Sequence, residues 1–479
     1  MYINLNRKSN QPLWQQIANE IIRRINKGTL VTGNQLVPSR LMAQELGVSR
    51  STVQLAYDEL ISRGYAQTYR RGGTRIIATG ETDISRKLEE KECLQLPINI
   101  NFEKASEQME EWLSANSAHD NIQIDFRHHE PFVDEQFLKV WKQSYLKAMK
   151  DFDLKNWGYG SSFGLLDTRI QIQNYLELER GIEVKTDQIL ITGGTQQAID
   201  LISQVFLKEE DIVAVEDPGY PGTRVAFMYR GMKITGVPVD HQGIVVNKIP
   251  SKARIISVTP SHQRPTGVVM SIQRRKELIE FALKNQSIIL EDDFDGEYRY
   301  HGGPLPSLFA EAPSHVLYIL TFSKVLSPSI RLAAIIGNSV FIDKLRKMQA
   351  LIQRQLPIME QLTLAEFLKQ GDFTRHIRRM RNIYKRRHQI MIKTLNENGL
   401  NKMFRIQGTE TGLHVFLEAD RNFQENQVIV EAARQRIGVY PLKPYCYASQ
   451  QKGLLLGFAW TNEDDINSGI YQLAKILKA

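Results

Sequence analysis

From about residue 120 onward, short apolar runs alternate with longer stretches of helical period. The runs at 189–192, 212–216, 255–259, 288–290, 316–320 and 333–336 read as buried strands, and the segments between them as crossover helices. That alternation predicts an α/β domain built on a mostly parallel sheet. After Arg331 a long helical region runs to Asn396, and from Phe404 strand-like runs, GLHVFLEA and GLLLGFAW, again alternate with helices. The first 78 residues follow a different rhythm. Leu13, Ile17, Ile21, Ile22 and Ile25 share one helical face, ended by Lys27-Gly28. Pro38-Ser39-Arg40 opens a second helix over 41–46, which Gly47 closes, and Ser49 is an N-cap for a third helix through Arg63. Residues 66–69 and 74–77 then pair as a hairpin around Arg70-Arg71-Gly72-Gly73.

Helix, glycine turn and capped helix make a helix-turn-helix, whose last helix meets base edges with its N-terminal part. The candidate DNA contacts are therefore Arg40, Ser49, Arg50, Ser51, Thr52 and Gln54, with Arg70, Arg71 and Gly72 on a basic wing. Charge agrees with this division. The chain carries a net +8, and its first 78 residues hold 11 Lys+Arg against 4 Asp+Glu, a net of +7. A basic head on a nearly neutral body suits a partner with a phosphate backbone, double-stranded operator DNA. The alternative is a small helical bundle with solvated arginines. A second basic run, RHIRRMRNIYKRRH, reads as a solvated helix face or as a further DNA surface.

Length and composition bound the rest. At 479 residues two or three domains are expected: 1–78, a polar and charged linker over 79–118 that is partly helical and docks through Trp112 and Leu113, and 119–479. Cys93 and Cys446 are the only cysteines, which implies no disulfide framework and fits a reducing, cytoplasmic setting. No apolar run approaches 18 residues and no signal-peptide pattern opens the chain, so neither export nor a membrane partner is expected.

The candidate chemistry sits at strand ends, where open α/β sheets bind ligands. The apolar run 316–320 delivers Lys324 into a polar turn, and burial there would make the amine nucleophilic. The run before Glu291-Asp292-Asp293-Phe294-Asp295 ends in four carboxylates within five residues. A metal site is one reading of them, but no histidine or cysteine stands at ligand spacing nearby, and no metal is expected. An aspartate here can instead hold a pyridinium nitrogen. Residues 189–192 lead into Gly193-Gly194-Thr195 and a helix start whose free amides suit a phosphate.

The ordered motifs YGSSFGLLDTR, ITGGTQQAI, EDPGY, TPSHQRPTG, EDDFD and TFSKVLSPSIR resemble the fold type I aminotransferases, which use pyridoxal 5'-phosphate. PSR, GVSRSTV and RRGGT resemble the winged helix-turn-helix of the GntR superfamily, and nearly the whole chain resembles the MocR/GabR group of bacterial transcriptional regulators. That resemblance implies a winged helix-turn-helix joined to a fold type I aminotransferase-like domain with a small C-terminal lobe. It implies that Lys324 forms an aldimine with the cofactor and that Asp292 pairs with its pyridine nitrogen. Gly194, Thr195, Thr321 and Arg331 would hold the phosphate, Tyr220 would stack on the ring, and Tyr159 would reach the phosphate across a homodimer interface.

Four positions depart from the resembled pattern. Phe294 stands where a tyrosine usually reaches the cofactor's 3-hydroxyl, and Arg264 where an aromatic or asparagine precedes Pro265-Thr266-Gly267. Trp460 and Gly222 stand where amino-acid-binding relatives carry carboxylate-binding arginines. The usual carboxylate anchor is thus absent or relocated. Arg264 has three readings: donor to the cofactor oxygen, holder of an effector carboxylate, or a solvated charge. Two function classes follow, a regulator sensing the cofactor or a small amine, amino-acid-like or peptide effector, and a transaminase with a DNA-binding head. A cofactor-free scaffold is a third.

Overall fold

The computed structural model describes residues 3–70, 72–77, 99–116, 121–153, 158–300 and 305–478. Its contacts divide the chain into two compact units, Met1–Pro97 and Ile98–Ala479. Among the described residues no helix is long and apolar enough to cross a membrane.

The first unit packs helices Leu13–Asn26, Ser39–Leu46 and Arg50–Ser62 against a two-stranded hairpin, Ala66–Tyr69 with Gly73–Ile76. Ile17, Ile21 and Ile25 are buried with Met42, Val53, Ala56 and Leu60, so the i, i+4 spacing of the first helix becomes its core face. Gly47 ends the second helix at φ 61°, a left-handed conformation that glycine adopts without cost. Leu13 and Ile22 remain only half-buried at the edge of that face. The Tyr57 hydroxyl donates to the Val37 carbonyl at 2.6 Å, fixing the third helix against the loop before the second.

The second unit is built on an eight-stranded sheet in the order Ile189–Thr192, Ala333–Ile336, Val316–Thr321, Ile288–Asp293, Ala253–Val258, Ile212–Asp217, Lys233–Asp240, Gly243–Ile244. The five strands from Val316–Thr321 through Lys233–Asp240 run parallel, as the alternation of runs predicts. Ala333–Ile336 differs, pairing antiparallel with both neighbours. It returns from Val316–Thr321 through a connection of turns and a short 3₁₀ segment with no crossover helix, and only a helix-length crossover lets consecutive strands run parallel. The smaller lobe is a four-stranded antiparallel sheet with Arg405–Gln407, His414–Ala419, Lys452–Gly457 and Tyr440–Pro441 in that order.

Two segments read from composition take specific positions. Helix Ile100–Ala115, inside the stretch expected as linker, lies on the second unit: Ala105 is buried and Arg224 Nε donates to Gln108 Oε1 at 3.1 Å. Trp112 docks there, whereas Leu113 is exposed. The basic run belongs to helix Asp372–Glu397, and much of its charge is already engaged: Arg379 pairs with Asp134, Arg386 with Glu463, and Arg381 Nε donates to the Glu297 carbonyl at 2.9 Å.

Candidate functional site

Parallel pairing puts Asp292 opposite Ile319, so the carboxyl ends of Ile288–Asp293 and Val316–Thr321 open on the same side. There a cavity of about 190 Å³ is lined by Lys324, Asp292, Thr195, Thr321, Arg331, Tyr220, Arg264, Phe294, Trp112 and His129, among others. Lys324 donates from Nζ to the His129 carbonyl. Burial, then the nearby Arg264 cation, lowers its amine to about 7, against the pull of Asp295, Glu130 and Asp292. Asp292 is 6% exposed and its Oδ1 has no hydrogen-bond partner. Burial, with Asp295 adding repulsion, raises its carboxyl to about 7.

The four clustered carboxylates diverge and do not form one ligand set. Glu291 accepts from the amides of Leu308 and Phe309 at 3.1 and 3.0 Å, while Asp293 pairs with Arg180 and accepts from Tyr318 at 2.5 Å. Asp295 Oδ2 lies 2.8 Å from His262 Nδ1. Asp292 alone turns to the cavity, because alternate strand positions face opposite sides and the chain turns after Asp293.

Beside these groups helix Thr195–Phe206 begins at Gly194, with no side-chain cap on its first amides. Gly194 sits at φ 111°, and a Cβ there would stand 2.8 Å from Arg331 Nη2. The guanidinium of Arg331 thus lies against the helix start, and buried Thr321 lines the same cavity. Uncapped amides beside a cation form an anion cradle.

Tyr220 has Trp112 edge to face on it, and the Arg264 guanidinium lies 5.4 Å from its ring centroid. Arg264 is 4% exposed, which rules out the solvated reading. At Gly222 a Cβ would meet Gln196 Nε2 at 2.0 Å and the Tyr220 ring at 2.7 Å, so a side chain there would have to displace both. Trp460 is 39% exposed, is stacked by Arg127 at 4.8 Å, and does not line the cavity. Tyr159 is not brought to the cavity either. It is 73% exposed, with the Arg354 guanidinium 3.5 Å from its ring centroid.

Several contributors carry no local sequence signal. Tyr445, from the smaller lobe, shares a 2.8 Å hydrogen bond with His128 Nε2, and its ring faces Arg264 at 5.9 Å. Burial, then the Arg264 cation, holds His128 well below the usual imidazole range. Asp217 joins the two lobes, accepting from the amides of Tyr447, Ala448 and Ser449 at 2.8, 2.7 and 2.9 Å. The dipeptide His128-His129 was the available signal, but nothing in its spacing points to a strand end 195 residues away.

In the first unit Ser49 Oγ accepts from the Thr52 amide at 3.1 Å and caps helix Arg50–Ser62. Its hydroxyl also meets those of Ser51 and Thr52 at 2.7 and 2.8 Å, and Gln54 donates to Asp58 at 3.0 Å. Arg40, Arg50, Ser51, Gln54 and Arg70 are exposed, and Gly72 is half-buried in the hairpin turn. Arg71 lies outside the described residues. Arg75 spans from the hairpin to the Gly33 carbonyl at 3.1 Å, a structural tie.

The chain matches the family described as "Aminotransferase class I and II" over residues 124–464, and that described as "Bacterial regulatory proteins, gntR family" over 13–76. It is 32% identical over 475 residues to the helix-turn-helix-type transcriptional regulator YdeL of Bacillus subtilis (strain 168), covering 98% of this chain and 97% of that one. It is 26% identical over 472 residues to the probable rhizopine catabolism regulatory protein MocR of Rhizobium meliloti, covering 98% and 94%. Among solved structures, an archaeal alanine:glyoxylate aminotransferase superposes with a TM-score of 0.70 at 27% identity, over 80% of this chain and 96% of that one.

Proposed function

Because the chain belongs to the MocR-type helix-turn-helix transcriptional regulators, a gntR-type head joined to an aminotransferase class I and II domain, we propose that it senses pyridoxal 5'-phosphate, or an amine meeting that cofactor, in the Lys324 cavity. The observation that carries this reading is the pairing of Lys324 with the partnerless Asp292 in one cavity beside an uncapped helix start.

The residues fit the group. Lys324 would hold it covalently, Asp292 would take its ring nitrogen, and the Gly194–Thr195 amides with Thr321 and Arg331 would take its phosphate. When bound, the cofactor supplies an electrophilic carbonyl carbon and an electron-withdrawing ring. The chain's own contribution is to lower the Lys324 amine so that a substantial neutral fraction exists near pH 7, and to reserve an acceptor for a ring N–H. Tyr220 and Trp112 wall one side of the cavity.

DNA reading falls to Arg50, Ser51, Thr52 and Gln54 in the major groove, with Arg40, Ser49 and the wing residues Arg70, Arg71 and Gly72 on the backbone. A homodimer would present two heads to two half-sites, with Tyr159, exposed here, reaching the partner's cofactor. Sensing requires only that a ligand bind one arrangement of the protein better than another. The same cavity would permit amino-group transfer, and sustained keto-acid production from an amino acid donor would favour an enzyme over a sensor. The decisive experiment loads the full chain with pyridoxal 5'-phosphate and treats it with borohydride. A visible band lost on reduction, with the adduct on Lys324 and absent from Lys324→Ala, supports the reading; an equal adduct on the variant overturns it.

A further inference from the structure

The Lys324 cavity contains a cation that cofactor binding leaves without a task. Arg264 is buried, its Nε has no hydrogen-bond partner, and no ion pair among the described residues includes it. No carboxylate among the described residues pairs with it: Asp295 holds His262 through Oδ2 at 2.8 Å and acts on Arg264 only through its charge, with its Oδ1 unpartnered, and Glu130 accepts from Arg127 at 3.1 Å. Asp292 is the acceptor reserved for the ring nitrogen. Apart from a side-chain hydrogen bond with Tyr445, what surrounds the guanidinium is aromatic, with the ring centroids of Tyr220, Phe294 and Tyr445 at 5.4, 5.6 and 5.9 Å. Aromatic faces offset only part of the cost of desolvating a guanidinium. A carboxylate arriving with a ligand would complete the pair in a site shielded from water, where charge-assisted hydrogen bonds are strongest.

The other positions for such an anchor are closed. No side chain fits at Gly222 without displacing Gln196 and Tyr220, and Trp460 stands outside the cavity. Arg331 lies against Gly194, where the helix amides already call for an anion. We propose that Arg264 is the relocated carboxylate anchor, so that the sensed effector is a small molecule bearing both an amine and a carboxylate. This rests on the reading that the cavity holds pyridoxal 5'-phosphate at Lys324.

The test uses the full chain loaded with that cofactor. L-Alanine, β-alanine and 4-aminobutyrate are titrated beside ethylamine and propylamine, which lack the carboxylate, with visible absorption and tryptophan fluorescence followed together. For the wild type, at least one amino-carboxylate should saturate at a concentration ten-fold or more below its matched amine. Arg264→Gln should bring that ratio close to one, and Arg264→Lys should retain part of it. Equal responses to amines and amino-carboxylates, no saturable response to any of them, or an unchanged ratio in Arg264→Gln would overturn the anchor. So would a ligand-free band displaced in both variants with the ratio preserved, which would assign Arg264 to the cofactor's 3-oxygen. Failure of the wild type to gain a visible band at all would instead defeat the cofactor reading on which the anchor depends, whereas a normal band without carboxylate preference defeats the anchor alone.

Discussion

Trp112 meets the ring of Tyr220 edge to face, with centroids 5.6 Å apart and planes at 82°. Trp112 lines the Lys324 cavity, its Nε1 is buried without a partner, and it belongs to the helix that opens the second unit. Anything that enters the cavity and touches Tyr220 therefore alters the environment of this indole. Cofactor loading should change the tryptophan emission of the wild type, and Trp112→Phe should lose most of that change despite the four remaining tryptophans. The edge-to-face pair contributes about 0.5–1.5 kcal/mol beyond area burial. Trp112→Ala should accordingly weaken cofactor retention several-fold in equilibrium dialysis.

Asp292 sets stability against binding in a way that pH can expose. Its folded pKa is raised to about 7 by burial, above the ordinary aspartate value of 3.8, so folding favours the protonated form. Its contribution to the stability of the cofactor-free protein is fully present below about pH 4 and is lost as pH rises through about 7. Asn keeps the shape and removes the charge. Asp292→Asn should raise the thermal midpoint of the cofactor-free protein at pH 8, with the gain shrinking toward pH 5, and should weaken cofactor binding at least ten-fold. A midpoint that falls equally at both pH values would show that Asp292 has a partner after all.

Lys324 gives the opposite dependence. Covalent capture of an aldehyde needs the neutral amine, and burial beside Arg264 lowers this amine from 10.5 to about 7. The rate of cofactor capture in stopped-flow absorption should rise with pH up to about 7 and level off above it. A rise continuing to pH 10 would indicate an ordinary solvated lysine.

How much of this was written in local sequence depends on how far apart the contributing residues lie. Lys324, Asp292 and Gly194–Thr195 each stand at the end of an apolar run, so one short window carries both the strand and the group that it delivers. The recognition helix was legible for the same reason, with its cap at Ser49 and its C-cap glycine before it. Trp112 and the His129 carbonyl reach the cavity, and Tyr445 reaches its Arg264, through tertiary packing across 100 or more residues, and no periodicity encodes that. The antiparallel return of Ala333–Ile336 escaped because a buried strand presents the same apolar pattern in either direction. Arg264 was visible as an oddity, but only burial separates a working guanidinium from a solvated one.

The Asp217 bridge predicts a coupling between lobe docking and ligand response. Three consecutive amides, of Tyr447, Ala448 and Ser449, donate to this one carboxylate, and the same segment sets Tyr445 against Arg264, which lines the cavity. Hydrogen bonds to a charged acceptor contribute about 1.5–3 kcal/mol each. Asp217→Asn keeps the size but exchanges one acceptor oxygen for a donor that faces amide N–H groups. It should lower the thermal midpoint measurably and reduce effector response more than cofactor binding, since none of the proposed phosphate or ring contacts is touched. Equal losses in both would mean that the bridge merely supports the fold.

The DNA-reading assignment rests on Arg50, exposed at the first turn of a helix whose start is fixed by the Ser49 cap. Among the described residues no ion pair or hydrogen bond holds its side chain, so the guanidinium is free to meet a base edge or a phosphate. These two roles differ in their signature. Arg50→Ala at a base edge should cost about 1–3 kcal/mol on the operator while leaving non-specific binding almost unchanged. If Arg50 meets only phosphate, affinity should fall evenly on all sequences, and the dependence on salt should lose about one ion. Ser49→Ala, which removes the cap at a cost of about 1 kcal/mol of helix stability together with one proposed backbone contact, should weaken binding to all sequences alike. We expect Arg50→Ala to lower operator affinity ten-fold or more in anisotropy titrations at fixed salt, with non-specific binding held within two-fold. Wild-type operator affinity across salt concentrations would remove this helix end from the groove.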